Sequence, residues 1–390
     1  MSRLSDLRPG GFDLGRAAPG QVVTDAVVRG ILDGERTFAG PEHVVVDITN
    51  RCNYRCVACW TFSPLLGDKK PPAAWYRQEL PGALVERLLD DLAALGTKIV
   101  RFTGGGEPFL HPDLLPLVER AALRGLRLDI TTNASKLTRE SSERLVRAGM
   151  GELAVSLWAA DRPSFAATHP TTPEGDFDRT VDALRYLSGI RRNRVELVLL
   201  NVISKANYER VASMFELALA LNADRAYFTL VDPIAGATDV LLLDPAERAH
   251  VLEQVRWIDD RLARERPGRI KLDFWDGFKT RLAAGGASAG DYDAEAVERI
   301  PCYIGWYFCR VLATGEVVPC CRGVAMPMGS LHERSFQEIW ENARYGEFRK
   351  NALTKSKHDP YFAPIACHRM CDNLMHNEML DARVRSVTNG

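Results

Sequence analysis

Apolar, β-prone segments alternate with amphipathic ones along most of this chain, and that alternation leaves few folds open. Strand-like runs fall near residues 44 to 48, 98 to 103, 126 to 132, 152 to 158, 194 to 203, 224 to 231 and 269 to 275. Between them lie stretches such as Leu84, Val85, Leu88, Leu89, Leu92 and Leu95, which recur at helical spacing on one face. Further helices are expected near 112 to 124, 138 to 148, 177 to 189, 206 to 221 and 245 to 265. Strand followed by helix, repeated, implies a parallel sheet with right-handed crossovers, and ligands then collect at the carboxyl ends of the strands. Periodicity alone does not distinguish a partial barrel from an open doubly wound sheet.

Just past the first strand the chain reads Asn50-Arg51-Cys52-Asn53-Tyr54-Arg55-Cys56-Val57-Ala58-Cys59. A four-iron cluster ordinarily takes four cysteine thiolates, and no fourth cysteine follows this run until Cys302. Three ligands on one loop point to a cluster whose fourth iron binds something other than protein. A structural zinc site is the rival reading, but it needs a closed set of four ligands, and no partner histidine or cysteine stands nearby. A glycine run, Thr103-Gly104-Gly105-Gly106-Glu107-Pro108, follows the apolar strand Ile99-Val100-Arg101-Phe102. Glycines there serve a tight turn or a close backbone approach, and Glu107 offers a carboxylate to an ammonium group.

The Cys-x3-Cys-x2-Cys loop paired with Gly-Gly-Gly-Glu-Pro resembles the radical S-adenosylmethionine (SAM) superfamily. The resemblance implies an α/β fold, a partial (β/α)6 barrel, with a [4Fe-4S] cluster on Cys52, Cys56 and Cys59 whose open iron chelates SAM. It further implies that Gly104, Gly105, Gly106 and Glu107 bind the methionyl amine. Asn133 and Ser156, at strand ends, are the ribose candidates it suggests, and Val202 with Ile203 the adenine candidates; each also reads as a turn former or core residue. The position before the third cysteine, commonly aromatic in that family, is Ala58 here, so Trp60 or Tyr54 is expected to stand in for it.

A second cysteine group occupies the last quarter: Cys302, Cys309, Cys320, Cys321, Cys367 and Cys371. A β-hairpin is expected there, turning at Thr314-Gly315 between residues 307 to 312 and 317 to 319. A helix from Ser335 to Ala352 should follow, opened by Ser335 and Glu338 as a capping box. This order resembles the SPASM or twitch extension of radical SAM enzymes, which implies a second, auxiliary [4Fe-4S] cluster on Cys302, Cys320, Cys367 and Cys371. Cys321 neighbours Cys320 in extended chain, so the two side chains should face opposite ways. Cys309 and Cys321 are then either buried small hydrophobes or thiols that return a hydrogen atom to a substrate radical. A zinc ribbon is the structural alternative for the group, although the chain lacks its Cys-x2-Cys pairs.

The chain thus divides into an N-terminal arm (1–42, with a short helix from Val22 to Leu32), a barrel (43–278), a linker (279–300) and a cluster-binding domain (301–390). With 390 residues, 46% of them hydrophobic and 26% charged, it can bury a large core. No run of about 18 apolar residues and no secretory segment occurs. An odd count of nine cysteines, tightly spaced, favours metal binding in a reducing compartment, hence the cytoplasm. A net charge of −1 argues against general nucleic-acid or membrane-surface binding.

By resemblance the activity is that of a radical SAM oxidoreductase, fed by a flavodoxin- or ferredoxin-type electron donor. An auxiliary cluster favours net oxidation, since it can take an electron from a substrate radical. The short stretch before the first strand favours a small polar substrate, a sugar, aminocyclitol or sugar nucleotide, over a peptide bound through a leader domain. His169 and Asp232 are candidate proton acceptors, and Arg162, Trp275 and Asp276 candidate cavity residues, against the simpler reading of all five as turn or cap formers. Peptide modification, redox-neutral sugar dehydration or epimerisation, and a noncatalytic metal-binding scaffold are the alternatives.

Overall fold

The computed structural model describes residues 23–388, residue 193 excepted; the N-terminal arm up to Val22 lies outside the described residues. One mixed sheet of ten strands organises the fold, in the order β10-β9-β8-β1-β2-β3-β4-β5-β6-β7. β1 (His43–Asp47), β2 (Ile99–Thr103), β3 (Arg127–Thr132), β4 (Glu152–Ser156), β5 (Glu196–Ile203), β6 (Arg225–Leu230) and β7 (Lys271–Asp273) run parallel in chain order. The sheet does not close into a barrel. Helices intervene as expected: α1 (Ala26–Asp33) precedes the sheet, and α2 (Gly82–Ala94), α3 (Leu114–Leu123) and α4 (Arg139–Ala148) follow its first three strands. α5 (Arg162–Thr168), α6 (Asp176–Ile190), α7 (Val211–Ala220) and α8 (Pro245–Ala263) complete the outer layer, and α9 (Trp275–Ala283) and α10 (Ala294–Arg299) lead out of it.

The amphipathic stripe on α2 is the one the spacing predicts, with Leu84, Val85, Leu88, Leu89 and Leu92 buried. They pack with Val100 and Phe102 in a continuous core between sheet and helices. The other face of the sheet is charged. Arg101 pairs with Asp129 at 3.1 Å and Glu152 at 2.8 Å, and Arg225 pairs with Asp273 at 2.7 Å as well as with Glu152. An ionic layer thus covers this face, mostly in the amino-terminal halves of β2 to β6. The polar site is left to the carboxyl ends.

The C-terminal hairpin forms where expected. β8 (Phe308–Val311) and β9 (Glu316–Val318) pair antiparallel, and β10 (Gly329–Ser330) adds to β9. Gly315 takes φ 83° in the turn, which a Cβ-bearing residue would resist. β8 also pairs parallel with β1, Val44 opposite Cys309, so the extension continues the sheet of the first half.

Three local expectations are corrected. The single helix from Ser335 is two, α11 (Phe336–Trp340) and α12 (Ala343–Thr354), because Asn342 caps the second by accepting from the Tyr345 N–H at 2.8 Å. The Ser335–Glu338 capping box itself is present. The strand near 269 to 275 shortens to β7, since Phe274 at φ 52° turns the chain into α9. The segment 279 to 300 is tied down: Arg281 and Asp293, both buried, form a two-point ion pair at 2.8 and 2.7 Å. The chain closes with α13 (Leu374–Thr388).

Candidate functional site

The cysteine loop leaves β1 and is held on two sides. Asn50 donates its backbone N–H to Gln78 at 2.9 Å, and its amide to the Trp75 carbonyl at 3.2 Å. Against its other side lies the glycine run, packed backbone to backbone. A Cβ on Gly104 would stand 2.6 Å from the Thr49 carbonyl oxygen, one on Gly105 2.3 Å from Asn50 Oδ1, and one on Gly106 2.0 Å from the Arg51 oxygen. None of the three takes a positive φ, so close approach and not turn geometry requires them. The Glu107 N–H seals the joint by donating to the Arg51 carbonyl at 2.7 Å.

Glu107 is occupied by protein partners. Its buried carboxylate accepts from the Thr132 hydroxyl at 2.6 Å, the Asn133 N–H at 2.7 Å and the Phe109 N–H at 3.0 Å. It is a strut between the ends of β2 and β3, and burial raises its pKa. Asn133 is likewise committed, its Oδ1 accepting from Ser135 and its amide donating to Asn53 at 3.2 Å.

Cys52, Cys56 and Cys59 are half-buried free thiols. Burial pushes the Cys52 thiol up to about 12 and the Cys56 thiol well above its ordinary value, and each is raised further by charge on the others. Neutral thiols so placed become good ligands only beside strong positive charge, as iron supplies. Backbone N–H groups of Tyr54 and Phe62 point at the Cys52 and Cys59 sulfurs, at 3.5 and 3.3 Å, the kind of contact that tunes a cluster.

Beside this loop opens a cavity of about 430 Å³. Ala58, Cys59, Trp60, Gly104, Gly105 and Val202 form one part of its lining; Tyr227, Thr229, Asp232, Arg310, Met370 and Asp372 form another. The Cys302, Cys320, Cys367 and Cys371 side chains line a second, apolar chamber with Ile300, Ile304, Phe348 and Phe362. The charges that raise the Cys320 pKa, after burial, are those of Cys367, Cys321, Cys302 and Cys371. Cys321 has Asp372, Arg310 and Asp47 as charged neighbours and lines a different groove; the two thiols part at the bend and turn that follow β9, not along the extended chain expected. Met370 and Asp372 line both spaces.

Among the described residues no three His, Cys, Asp or Glu side chains approach closely enough to hold a single metal ion. A zinc ion draws its thiolates to about 2.3 Å from one centre.

Several expected residues sit elsewhere. His169 is 1% exposed, stacked on Phe165 with ring centroids 4.3 Å apart. Burial lowers its pKa to about 4, so it is a neutral packing group outside the cavity lining. Ile203 is wholly buried whereas Val202 faces the cavity, because successive strand residues point to opposite faces. Ser156 is not part of the lining. Cys309 is fully buried on β8, and burial raises its pKa; it cannot reach a substrate. Cys321 lies in a neighbouring groove with Trp60, Asp232 and Val324. Tyr54 is buried with its hydroxyl on Asp176 at 3.2 Å. Trp275 is buried and donates to Asp259 at 2.6 Å, Asp276 is exposed, and Arg162 pairs with Asp178 at 2.8 Å.

Asp232 and Trp60 do line the cavity. Burial raises Asp232 to about 6 although Arg322 pairs with it, and its carbonyl accepts from the Trp60 indole at 3.2 Å. The sequence reading missed Tyr227, Thr229, Arg310, Met370, Asp372 and Trp158. Polar residues alternating with buried Ala226, Phe228 and Leu230 on β6 were the available signal for the first two. For Arg310 and Asp372 no sequence signal exists, since only the docking of β8 on β1 brings them there.

A family model described as the radical SAM superfamily matches residues 46–218, and one described as the SPASM iron–sulfur cluster-binding domain matches residues 302–372. An AdoMet-dependent heme synthase of Methanosarcina barkeri is 28% identical over 320 residues, 80% of this chain and 84% of the relative. A PqqA peptide cyclase of Rhodopseudomonas palustris is 28% identical over 317 residues, covering 79% of this chain and 75% of the relative. Among solved structures, Streptococcus suis SuiB bound to S-adenosylmethionine aligns with a TM-score of 0.62 at 17% identity, over 86% of this chain and 73% of that one.

Proposed function

The chain is a radical SAM enzyme with a SPASM auxiliary-cluster domain, and from that premise we propose that it oxidises a peptide substrate held between its two cysteine sites. In this reading Cys52, Cys56 and Cys59 hold the SAM-binding [4Fe-4S] cluster, and Cys302, Cys320, Cys367 and Cys371 hold the auxiliary one. When bound, the first cluster with SAM supplies a 5′-deoxyadenosyl radical and the second supplies an electron acceptor. The observation that carries the proposal is the shared wall. One cavity runs from Cys59, Gly104 and Gly105 to Met370 and Asp372, and those last two residues also face the second cysteine chamber.

The chain's own residues have plain tasks here. Gly104 and Gly105 present backbone to the cofactor's amino acid half. Asp232, raised to about 6 and steadied by Arg322, accepts a proton from the substrate atom being oxidised. Trp60 closes the rim. A flavodoxin- or ferredoxin-type donor and a cytoplasmic location belong to the same proposal; no described helix is long and apolar enough to cross a membrane.

The choice of a peptide departs from the small polar substrate expected from the sequence. It is supported by the similarity to a PqqA peptide cyclase and by the groove of Pro233, Ile234, Val324 and Ile365, which continues the cavity past Trp60 and Asp232 and extends beyond what one sugar would fill. Extract from cells grown on deuterated medium, split at about 1 kDa, tests it. Deuterium appearing in 5′-deoxyadenosine with the peptide-containing fraction is the expected result. Label from the small-molecule fraction alone would restore the sugar reading.

A further inference from the structure

At the end of β4 stands a side chain that none of these roles uses. Trp158 lines the cavity at φ 53°, a left-handed conformation that bulky residues rarely hold and that clusters at functional sites. Asn207 clamps it. That side chain, 3% exposed, donates both Nδ2 hydrogens, one to the Trp158 carbonyl and one to the Val202 carbonyl, each at 2.9 Å. Its Oδ1 accepts from the Ser204 N–H at 2.9 Å, so the amide is fully occupied in tying the ends of β4 and β5 together. His169 packs against the indole at 5.7 Å between ring centroids and is itself pinned on Phe165.

The indole N–H is buried and has no partner. Closed to solvent, it does not face the open cavity, so what the cavity meets of Trp158 is the rest of the indole. The cavity's other indole is not in this state, because Trp60 donates to Asp232. On one side of Cys59 the loop presents the small Ala58 side chain, and Trp158 and Val202 line the same cavity.

We propose that Trp158 contacts the nucleoside half of SAM by stacking its indole on the adenine, and that Asn207 is the positioning residue that fixes it. The methionyl half is left to the cluster loop and the glycines. The proposal rests on the SAM-binding assignment and not on the peptide reading.

Equilibrium dialysis without reductant tests it on the reconstituted enzyme, with iron content measured alongside. W158A should bind SAM at least tenfold more weakly, in the range of base stacking, at unchanged iron content. Methionine, which lacks the nucleoside, should bind both proteins alike. SAM affinity within twofold of wild type would overturn the contact, and equal loss of methionine binding would overturn its assignment to the nucleoside. Should W158A fail to load iron, W158L decides: threefold or greater weakening is expected from the lost stack, and wild-type affinity overturns the contact. N207A should weaken SAM binding in the native background yet add nothing to W158A. A full additive loss would refute the positioning role.

Discussion

Replacing Gly106 by alanine tests the joint on which the first cysteine site depends. The new Cβ would lie 2.0 Å from the Arg51 oxygen, 2.5 Å from its carbonyl carbon and 2.7 Å from that of Asn50. All three are backbone atoms, so no rotamer relieves the clash, and restoring ordinary contact of about 3.5 Å demands a loop shift of over ~1 Å. The Glu107 to Arg51 hydrogen bond at 2.7 Å goes with it. Overpacking of this kind costs about 1–3 kcal/mol and the lost bond about 1 more. Spread over 390 residues, at about 2 cal/mol/K of unfolding entropy each, that lowers Tm by only about 2–5 °C. The damage is local, at Cys52. Iron and sulfide analysis after anaerobic reconstitution should therefore find about four irons where the native protein holds about eight, with a nearly native Tm. Gly285, with no atom within 4 Å of an added Cβ, is the control, and G285A should load fully. A G106A protein carrying both clusters and binding SAM as the native does would refute the reasoning.

The adjacent thiols separate cleanly: C320S should lose about four irons, and C321S should keep all of them, by the same analysis. Asp293→Asn leaves the buried Arg281 charge uncompensated and weakens the 3.0 Å hydrogen bond from the Cys371 N–H. A loss of about 3–5 kcal/mol is expected, read by calorimetry, with auxiliary-cluster absorbance bleaching first on warming. His169 titrates near 4 in the folded chain because it is buried, against about 6.5 when unfolded. The unfolded state alone takes up this proton between those values, so the contribution to stability is complete above pH 6.5 and is lost as pH falls towards 4. Denaturant unfolding should show native protein losing about 1 kcal/mol at this site by pH 5.5, and His169→Phe should flatten the slope; an unchanged slope would contradict the assignment.

Short-range chemistry was the legible part. Cysteine spacing, the glycine run, the Ser335 capping box and the Gly315 turn each act within a few residues, and each appears where the sequence puts it. Individual ligand contacts were less legible because a strand end offers several polar residues and only packing chooses among them. Glu107 looked like a free carboxylate and is consumed by Thr132 and Asn133. His169 looked like a base and is a packing group. Asn342 broke a helix whose hydrophobic pattern ran on.

By itself, the sequence determined the parallel α/β class and the two cysteine groups, since strand–helix periodicity and cysteine spacing are local features. Tertiary structure decided the rest. Hydrogen bonding of β8 to β1 brings Arg310 and the segment around Asp372 over the strand ends, turning two separate motifs into one cavity with a shared wall. No local preference encodes that pairing; it arises because the exposed edge of β1 needs a partner. The Asn207 clamp on Trp158, 49 residues away in the chain, is likewise visible only once β4 and β5 lie side by side.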